Sequence, residues 1–169
     1  DPMNQGWDEF YGYNCQRQAH TFYPKHLWNN DKKVMLDGKT YSHDLIQKQA
    51  LKFIRNNAKK PFFAYLPITI PHAAMQCPEE DVAPFRKKFP QFEDKIGKYS
   101  HGTKVKNPVA AFAGMMTRMD RGVGEVLDLL DELNIADNTL VLFTSDNGPH
   151  YEGGHQPGFF KSNGPLKGH

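Results

Sequence analysis

Two groups of polar side chains follow short apolar runs of the kind that form buried strands. Asp146 and Asn147 come soon after residues 139–143, a β-branched and aromatic run. His72 follows residues 62–66, an apolar run with a proline on each side. A carboxylate beside a carboxamide offers two oxygen ligands to a hard cation such as Ca²⁺ or Mg²⁺. A histidine can donate a hydrogen bond to an anion or carry a proton.

Each group also has a simpler interpretation. The sequence Asp-Asn-Gly-Pro at 146–149 consists of turn-forming residues, so it could be a turn without function. A lone histidine beside prolines, as at His72, is often a hydrogen-bonded loop residue. The elements between the two groups help to decide between these interpretations.

A long helix is predicted between the two apolar runs. Asn107 is a good N-cap, and Pro108 suits the first helical position. Apolar residues then recur at steps of three and four as far as about Asn134; they are Val109, Phe112, Met116, Met119, Val123, Val126, Leu127, Leu130 and Leu133. A strand–helix–strand order favours a parallel pair with a right-handed crossover. His72 and Asp146–Asn147 are then expected at the same edge of the sheet, where α/β proteins bind ligands.

The remaining elements predict an α/β fold with a mostly parallel sheet flanked by helices. Ser42 is expected to cap a helix that ends near Asn57, and a second helix is expected from Pro78 to Lys88. Residues 90–106 are polar and predicted to be a loop. Residues 1–40 are rich in aromatic residues and hold no period for long, so they are expected to be loops that line a pocket or cover the end of a sheet.

The composition excludes several classes of protein. The chain has 169 residues, of which 38% are hydrophobic and 24% charged, as in a globular protein. A net charge of +2 argues against a nucleic-acid partner. The sequence has no apolar run long enough for a membrane span and no signal peptide. Cys15 and Cys77 could pair or stay free. The abrupt opening at Asp1-Pro2, and an end without a helix or strand signal, predict a segment of a longer protein.

Several segments together resemble one family. They are Gln5–Tyr13 (QGWDEFYGY), Leu66-Pro67 with Ile70-Pro71-His72, Met119-Asp120 with Val123-Gly124, Ala136–Thr139 (ADNT), Phe143–Gly148 (FTSDNG) and Gly164–Gly168 (GPLKG). In this order along the whole chain, they resemble the type I, arylsulfatase-A-like sulfatases. The resemblance implies a partial alkaline-phosphatase-like α/β fold, with residues 1–169 as the central part of one catalytic domain. Residues 1–40 would be its aromatic loop region and 41–150 its strand–helix–strand core.

The resemblance also implies a chemistry. The family hydrolyses sulfate esters with a formylglycine nucleophile and one calcium ion. Asp146 and Asn147 match the late pair of calcium ligands, and His72 matches the histidine that contacts the sulfate group. The substrate would be a sulfated small molecule or a sulfated carbohydrate. The family is mostly exported, so a periplasmic, extracellular or lysosomal location is expected.

The chain departs from the family in what it lacks. It contains no Cys-x-Pro-x-Arg or Ser-x-Pro-x-Arg motif, from which formylglycine is made. The motif and the early pair of aspartates are expected upstream, and Lys167 matches a basic position that precedes a further lysine. We therefore expect this segment alone to be inactive and to bind calcium weakly, with only half of the site. Apolar edges left uncovered could also drive self-association.

Three further histidines are weaker candidates. His150, His155 and His20 are expected to contact substrate, or else to be surface loop residues. Two other functions remain open at this point. One is hydrolysis or transfer of phosphate or phosphonate esters by a relative in the same superfamily, and the other is a non-catalytic sugar-binding module.

Overall fold

The structure is a computed structural model that describes residues 2–166. It divides into two compact units. The first unit comprises Asp1–Ile70 with Met119–Ile135, and the second comprises Pro71–Arg118 with Ala136–His169. The boundaries separate the candidate residues, because His20 belongs to the first unit and the other candidate site residues belong to the second.

The three longer helices lie where the sequence predicts them. They are α1 (Ser42–Asn57), α2 (Glu79–Lys88) and α3 (Pro108–Glu132), and a short α4 spans Pro157–Phe160. The predicted N-cap of α1 is wrong, since Tyr41 holds that position. Ser42 is buried, and its hydroxyl hydrogen-bonds the Tyr13 hydroxyl at 2.6 Å. The Ser42 side chain therefore makes a tertiary contact with Tyr13 and does not cap the helix.

The N-cap of α3 is confirmed. The side-chain oxygen of Asn107 accepts the N–H of Ala110 at 3.0 Å, and its amide nitrogen donates to the Phe89 carbonyl and to Glu93, both at 3.1 Å. Asn107 is fully buried and has a φ of 48°, a left-handed conformation that asparagine tolerates well. These bonds tie the start of α3 to the segment that follows α2.

Two small antiparallel sheets form in stretches that were expected to be loops. The first joins β1 (Tyr11–Gly12), β2 (His26–Asn29) and β3 (Lys32–Met35), and the second joins β4 (Ile96–Lys98) and β5 (Lys104–Lys106). The loop predictions for these stretches are therefore wrong. A two-residue turn, Asn30-Asp31, connects β2 to β3, and Asn30 has a φ of 54°. Such turns favour hairpins, so this signal was present in the sequence.

The two predicted buried strands do not form. Residues 62–66 and 139–143 join no sheet among residues 2–166, and all the strand pairs described there are antiparallel. Phe63 is 74% exposed and Leu142 is 83% exposed. A strand needs a neighbour to bond its backbone, and periodicity cannot tell whether that neighbour lies in the same chain. The chain is α/β as predicted, and self-association through these apolar segments stays a prediction.

A close contact between glycines holds the second unit together around the turn Glu152–Gly154. Gly153 has a φ of 65° and Gly154 a φ of 90°. A Cβ atom built on Gly153 would lie 2.0 Å from the Ala73 carbonyl oxygen, and one built on Gly154 would lie 2.7 Å from Pro108 Cγ. A Cβ atom on Gly97 of β4 would lie 2.0 Å from the Gly153 oxygen. The turn thus packs backbone against backbone, with no room for side chains.

We expect Gly97→Ala to lower the free energy of unfolding by about 3 kcal/mol, because its methyl group would collide with backbone that cannot yield. Gly124→Ala is the matched control, since nothing lies within 4 Å of a Cβ atom there. In a helix interior that change should stabilise by about 0.5–1 kcal/mol. Urea unfolding of the purified proteins measures both, and an equal effect of the two substitutions would contradict the packing described.

Candidate active site

Three histidine rings form a row in the second unit. The ring centroids of His72 and His150 lie 6.2 Å apart, and those of His150 and His155 lie 5.8 Å apart. The sequence named all three residues as candidates, and the structure brings them together from two loops distant in sequence. A row of imidazoles can offer several hydrogen-bond donors to one anionic group.

His72 is the exposed end of the row. It lies in the loop before α2, where its carbonyl oxygen accepts the N–H of Met75 at 3.3 Å. The ring of Tyr99 meets it edge-on, with centroids 5.2 Å apart and planes at 83°. Tyr99 follows β4 directly. Sequence reasoning missed Tyr99 because it predicted a loop there and gave no partner for His72.

His150 has a fixed hydrogen-bond pattern. The backbone N–H of Glu152 donates to His150 Nδ1 at 3.1 Å. An imidazole nitrogen that accepts a hydrogen bond carries no proton, so in the neutral ring the proton is on Nε2. His150 Nε2 is therefore the atom that can donate to an anion. The same turn that packs against Gly97 supplies this backbone donor.

His155 is the buried end of the row. It is 1% exposed, and neither ring nitrogen has a hydrogen-bond partner among the described residues. The ring of Phe112 lies 3.9 Å from it at 37°, and that of Phe160 lies 6.0 Å away and nearly parallel at 11°. Burial, and next the charge of His150, lower the pKa of His155 from 6.5 to about 4. At neutral pH the ring is uncharged, with one donor and one acceptor.

Asp146 and Asn147 lie in an exposed bend shortly before His150. The Ser145 hydroxyl donates to the carbonyl oxygen of Asn147 at 2.8 Å. The carboxylate and amide oxygens are donors that suit Ca²⁺ or Mg²⁺, but calcium takes six to eight such ligands. Residues 2–166 contain no group of three or more His, Cys, Asp or Glu side chains arranged to hold a metal ion. The pair therefore fits part of a metal site and not a complete one.

Other residues named from the sequence lie elsewhere. His20 ends the short 3₁₀ helix Gln18–His20 in the first unit and is half-buried. Tyr13 contributes to the packing of the first unit, because its hydroxyl contacts Ser42 and burial raises its pKa to about 12.

Neither Cys15 nor Cys77 is in a disulfide within the described part of the chain. Lys167 lies outside the described residues. Within the described part of the chain, no helix has the length and apolar character of a membrane span.

Comparison with known proteins identifies the family. The model of the family described as Sulfatase matches residues 1–169, the whole chain. The chain belongs to the sulfatase family. The expected family, the type I sulfatases of the alkaline-phosphatase-like superfamily, is confirmed.

Curated relatives agree with this assignment. The chain is similar to an N-acetylgalactosamine-6-O-sulfatase of Bacteroides thetaiotaomicron, with 31% identity over 126 residues that cover 75% of this chain and 20% of the relative. It is also similar to human steryl-sulfatase, with 34% identity over 122 residues that cover 71% of this chain and 17% of the relative. The chain thus spans about a fifth of the length of these relatives.

A solved structure confirms the fold. The crystal structure of Ps i-CgsB has a TM-score of 0.69 and 30% identity, covering 99% of this chain and 37% of that one. Its complex with k-i-k-neocarrahexaose has a TM-score of 0.68 and the same identity, covering 92% and 36%. The predicted partial alkaline-phosphatase-like α/β fold is confirmed by this likeness.

The low pKa of His155 predicts a pH-dependent stability. The unfolded chain binds a proton at this ring below pH 6.5, whereas the folded chain does so only near pH 4. The free energy of unfolding should therefore fall as pH drops through this window, by on the order of 2 kcal/mol between about pH 6.5 and about pH 5. Well above pH 6.5, where the ring is unprotonated in both states, it makes no pH-dependent contribution.

The variant His155→Phe should abolish this part of the dependence, while the exposed-residue control His101→Gln should keep it. Urea unfolding near neutral pH and near pH 5 measures the slope. Equal slopes for the protein with His155 and for His155→Phe would show that the buried ring does not titrate as described.

Proposed function

We propose that the full-length protein hydrolyses sulfate esters and that this chain supplies its sulfate-binding edge and part of its metal site. The observation that carries the proposal is the row of His72, His150 and His155 in a chain of the sulfatase family. Asp146 and Asn147, which come shortly before His150 in the sequence, supply hard oxygen ligands. Histidine donors and hard oxygen ligands of this kind suit an anionic ester and a cation.

His72 and His150 are the proposed contacts of the sulfate group. A sulfate ester carries a negative charge, and further charge develops on the leaving oxygen as the S–O bond breaks. Donors placed before the reaction stabilise that charge without reorganising. His72 is exposed, and His150 keeps Nε2–H as a donor because Nδ1 accepts from Glu152. Both can therefore donate to sulfate oxygens while neutral.

His155 is proposed to bind a substrate hydroxyl and not the sulfate. Its pKa of about 4 keeps it uncharged at neutral pH, with one nitrogen that donates and one that accepts, as a hydroxyl group requires. Both ring nitrogens are buried without a partner among the described residues, which costs about 1–3 kcal/mol, so a hydroxyl group that reached them would be bound favourably. His20 stays a predicted substrate contact that no described interaction supports.

Asp146 and Asn147 are proposed as ligands of one calcium ion. Calcium prefers carboxylate and amide oxygens, and both side chains are exposed and close in sequence. The cation, when bound, would supply positive charge that stabilises an anionic ester. The other ligands, and the formylglycine nucleophile, are proposed to come from parts of the full-length protein other than this chain. This chain's own part in the reaction is to bind and orient the anion.

The proposed substrate is a sulfated carbohydrate, with a sulfated small molecule as the other option. The name of one similar protein, an N-acetylgalactosamine-6-O-sulfatase, supports the carbohydrate. The name of another, a steryl-sulfatase, supports the small molecule. The complex of Ps i-CgsB with k-i-k-neocarrahexaose supports the first. An exported protein is proposed on the same family grounds.

The exposed aromatic rings of the first unit do not favour a sugar-binding module. Trp7 stacks on Phe63 at 5.7 Å and on Tyr65 at 6.1 Å. Phe63 and Tyr65 alternate along the apolar run 62–66, which is the pattern of one face of a strand. A strand-forming run of this kind normally packs against neighbours, so its exposed face suits burial in the full-length protein better than a ligand platform.

Turnover of p-nitrophenyl sulfate by the full-length protein tests the proposal. We expect His72→Ala to lower kcat/KM by about 100-fold, since one preorganised donor to a developing charge is lost. His150→Gln should lower it by about tenfold, because the amide replaces the donor with poorer geometry. His26→Gln, at a histidine of β2 outside the row, is the control and should change it by less than about twofold.

The isolated chain of 169 residues should show no turnover above blank. Turnover by that chain would contradict the assigned roles. Faster hydrolysis of p-nitrophenyl phosphate than of the sulfate by the full-length protein would favour the phosphate-ester alternative instead.

A further inference from the structure

The hairpin of β4 and β5 places two lysines directly opposite each other. Its register pairs Ile96 with Lys106, Gly97 with Val105, and Lys98 with Lys104. Alternate residues of a strand share a face, so Lys98 and Lys104 lie on the face away from Gly97. Both lysines are exposed. Like charges directly opposite in an antiparallel pair destabilise it.

No carboxylate relieves this repulsion among the described residues. Residues 95–106 include four lysines and a histidine but no Asp or Glu. Lys106 is neutralised by Glu93, whose carboxylate lies 2.9 Å from its ammonium group. Neither Lys98 nor Lys104 forms an ion pair within residues 2–166. Elsewhere the chain does match opposite charges, as between Arg55 and Glu132 at 2.7 Å. An uncompensated lysine pair therefore marks a place where an anion would stabilise the hairpin.

The hairpin contacts the loops that carry the histidine row at two points. Its Gly97 face packs against the Gly153 backbone, with no room for a side chain. Tyr99, the residue after Lys98, packs its ring on His72. The lysine pair therefore lies on the outer face of the hairpin, opposite to the face that contacts these loops.

We propose that the Lys98–Lys104 pair binds a second sulfate group of a sulfated oligosaccharide, further along the chain from the sugar whose ester His72 contacts, where the oligosaccharide passes over the outer face of the hairpin. This inference rests on the proposed function and narrows its substrate to carbohydrates with more than one sulfate. Lysine suits the task, because its ammonium group is a flexible point charge that follows an anion without demanding one geometry. The pair is exposed, which suits an extended chain lying along the surface rather than a small molecule enclosed in a pocket.

Calorimetric binding to the full-length protein tests the inference. The probes are carrageenan and chondroitin sulfate oligosaccharides with two or more sulfates, their desulfated forms, and galactose 6-sulfate as a single-sulfate ligand. The variant is Lys98→Gln with Lys104→Gln. The control is Lys48→Gln with Lys52→Gln, which removes the same charge from exposed positions of α1.

We expect at least one multiply sulfated oligosaccharide to bind the unaltered protein more tightly than galactose 6-sulfate and than its own desulfated form. In the Lys98/Lys104 variant, the affinity for the oligosaccharide should fall about tenfold more than the affinity for galactose 6-sulfate. A difference of this size is expected for the loss of one charged contact. Added salt should lower the oligosaccharide affinity of the unaltered protein more than that of the variant, because salt screens exposed charges. The Lys48/Lys52 control should retain the affinity of the unaltered protein.

Three results would overturn the inference: no preference for multiply sulfated oligosaccharides, equal losses for the two kinds of ligand in the Lys98/Lys104 variant, or an equal loss in the control. These results differ from failure of the proposed function, which appears as absent turnover of p-nitrophenyl sulfate by the unaltered protein. Retained thermal stability of the Lys98/Lys104 variant separates lost binding from misfolding, since removal of a like-charge pair should not destabilise the hairpin.

Discussion

The close packing of the turn Glu152–Gly154 is the constraint on which the candidate site depends. Its glycines leave no room for a Cβ atom against Ala73, Gly97 or Pro108. Because the backbone is held there, the Glu152 N–H is in place to fix the His150 ring. The next residue after the turn, His155, is then held against Phe112. The same contact positions the hairpin that carries Tyr99, so one backbone arrangement sets the histidine row and its flank.

In the proposed binding of an anionic ester, neutral and charged groups of the second unit have separate roles. His155 is kept uncharged by burial, and His150 presents a donor without needing a positive charge. Positive charge is proposed to come from the hairpin lysines Lys98 and Lys104 and from a metal ion at Asp146 and Asn147. The donors proposed for the anionic ester therefore do not require a charged imidazole ring.

The sequence predicted the features that depend on local chemistry. Capping and periodicity located α3, and Asn107 caps it as expected. The histidines of the row were named as candidates from their residue type and from their positions relative to the segments that resemble the family. Features that depend on pairing were not predicted: β4 and β5 are too short for a period, and the Tyr99 contact follows from their register. Residues 62–66 and 139–143 have strand composition, yet a strand forms only where a second strand bonds to it.

His72 and His150 are proposed to bind one sulfate group together. An experimental structure of the full-length protein with inorganic sulfate would show whether they do. We expect sulfate oxygens within about 3 Å of a His72 ring nitrogen and of His150 Nε2, with His150 Nδ1 still accepting from the Glu152 N–H. Sulfate bound elsewhere, with both rings free of it, or a His150 ring that turns Nδ1 toward the anion, would disprove this proposal.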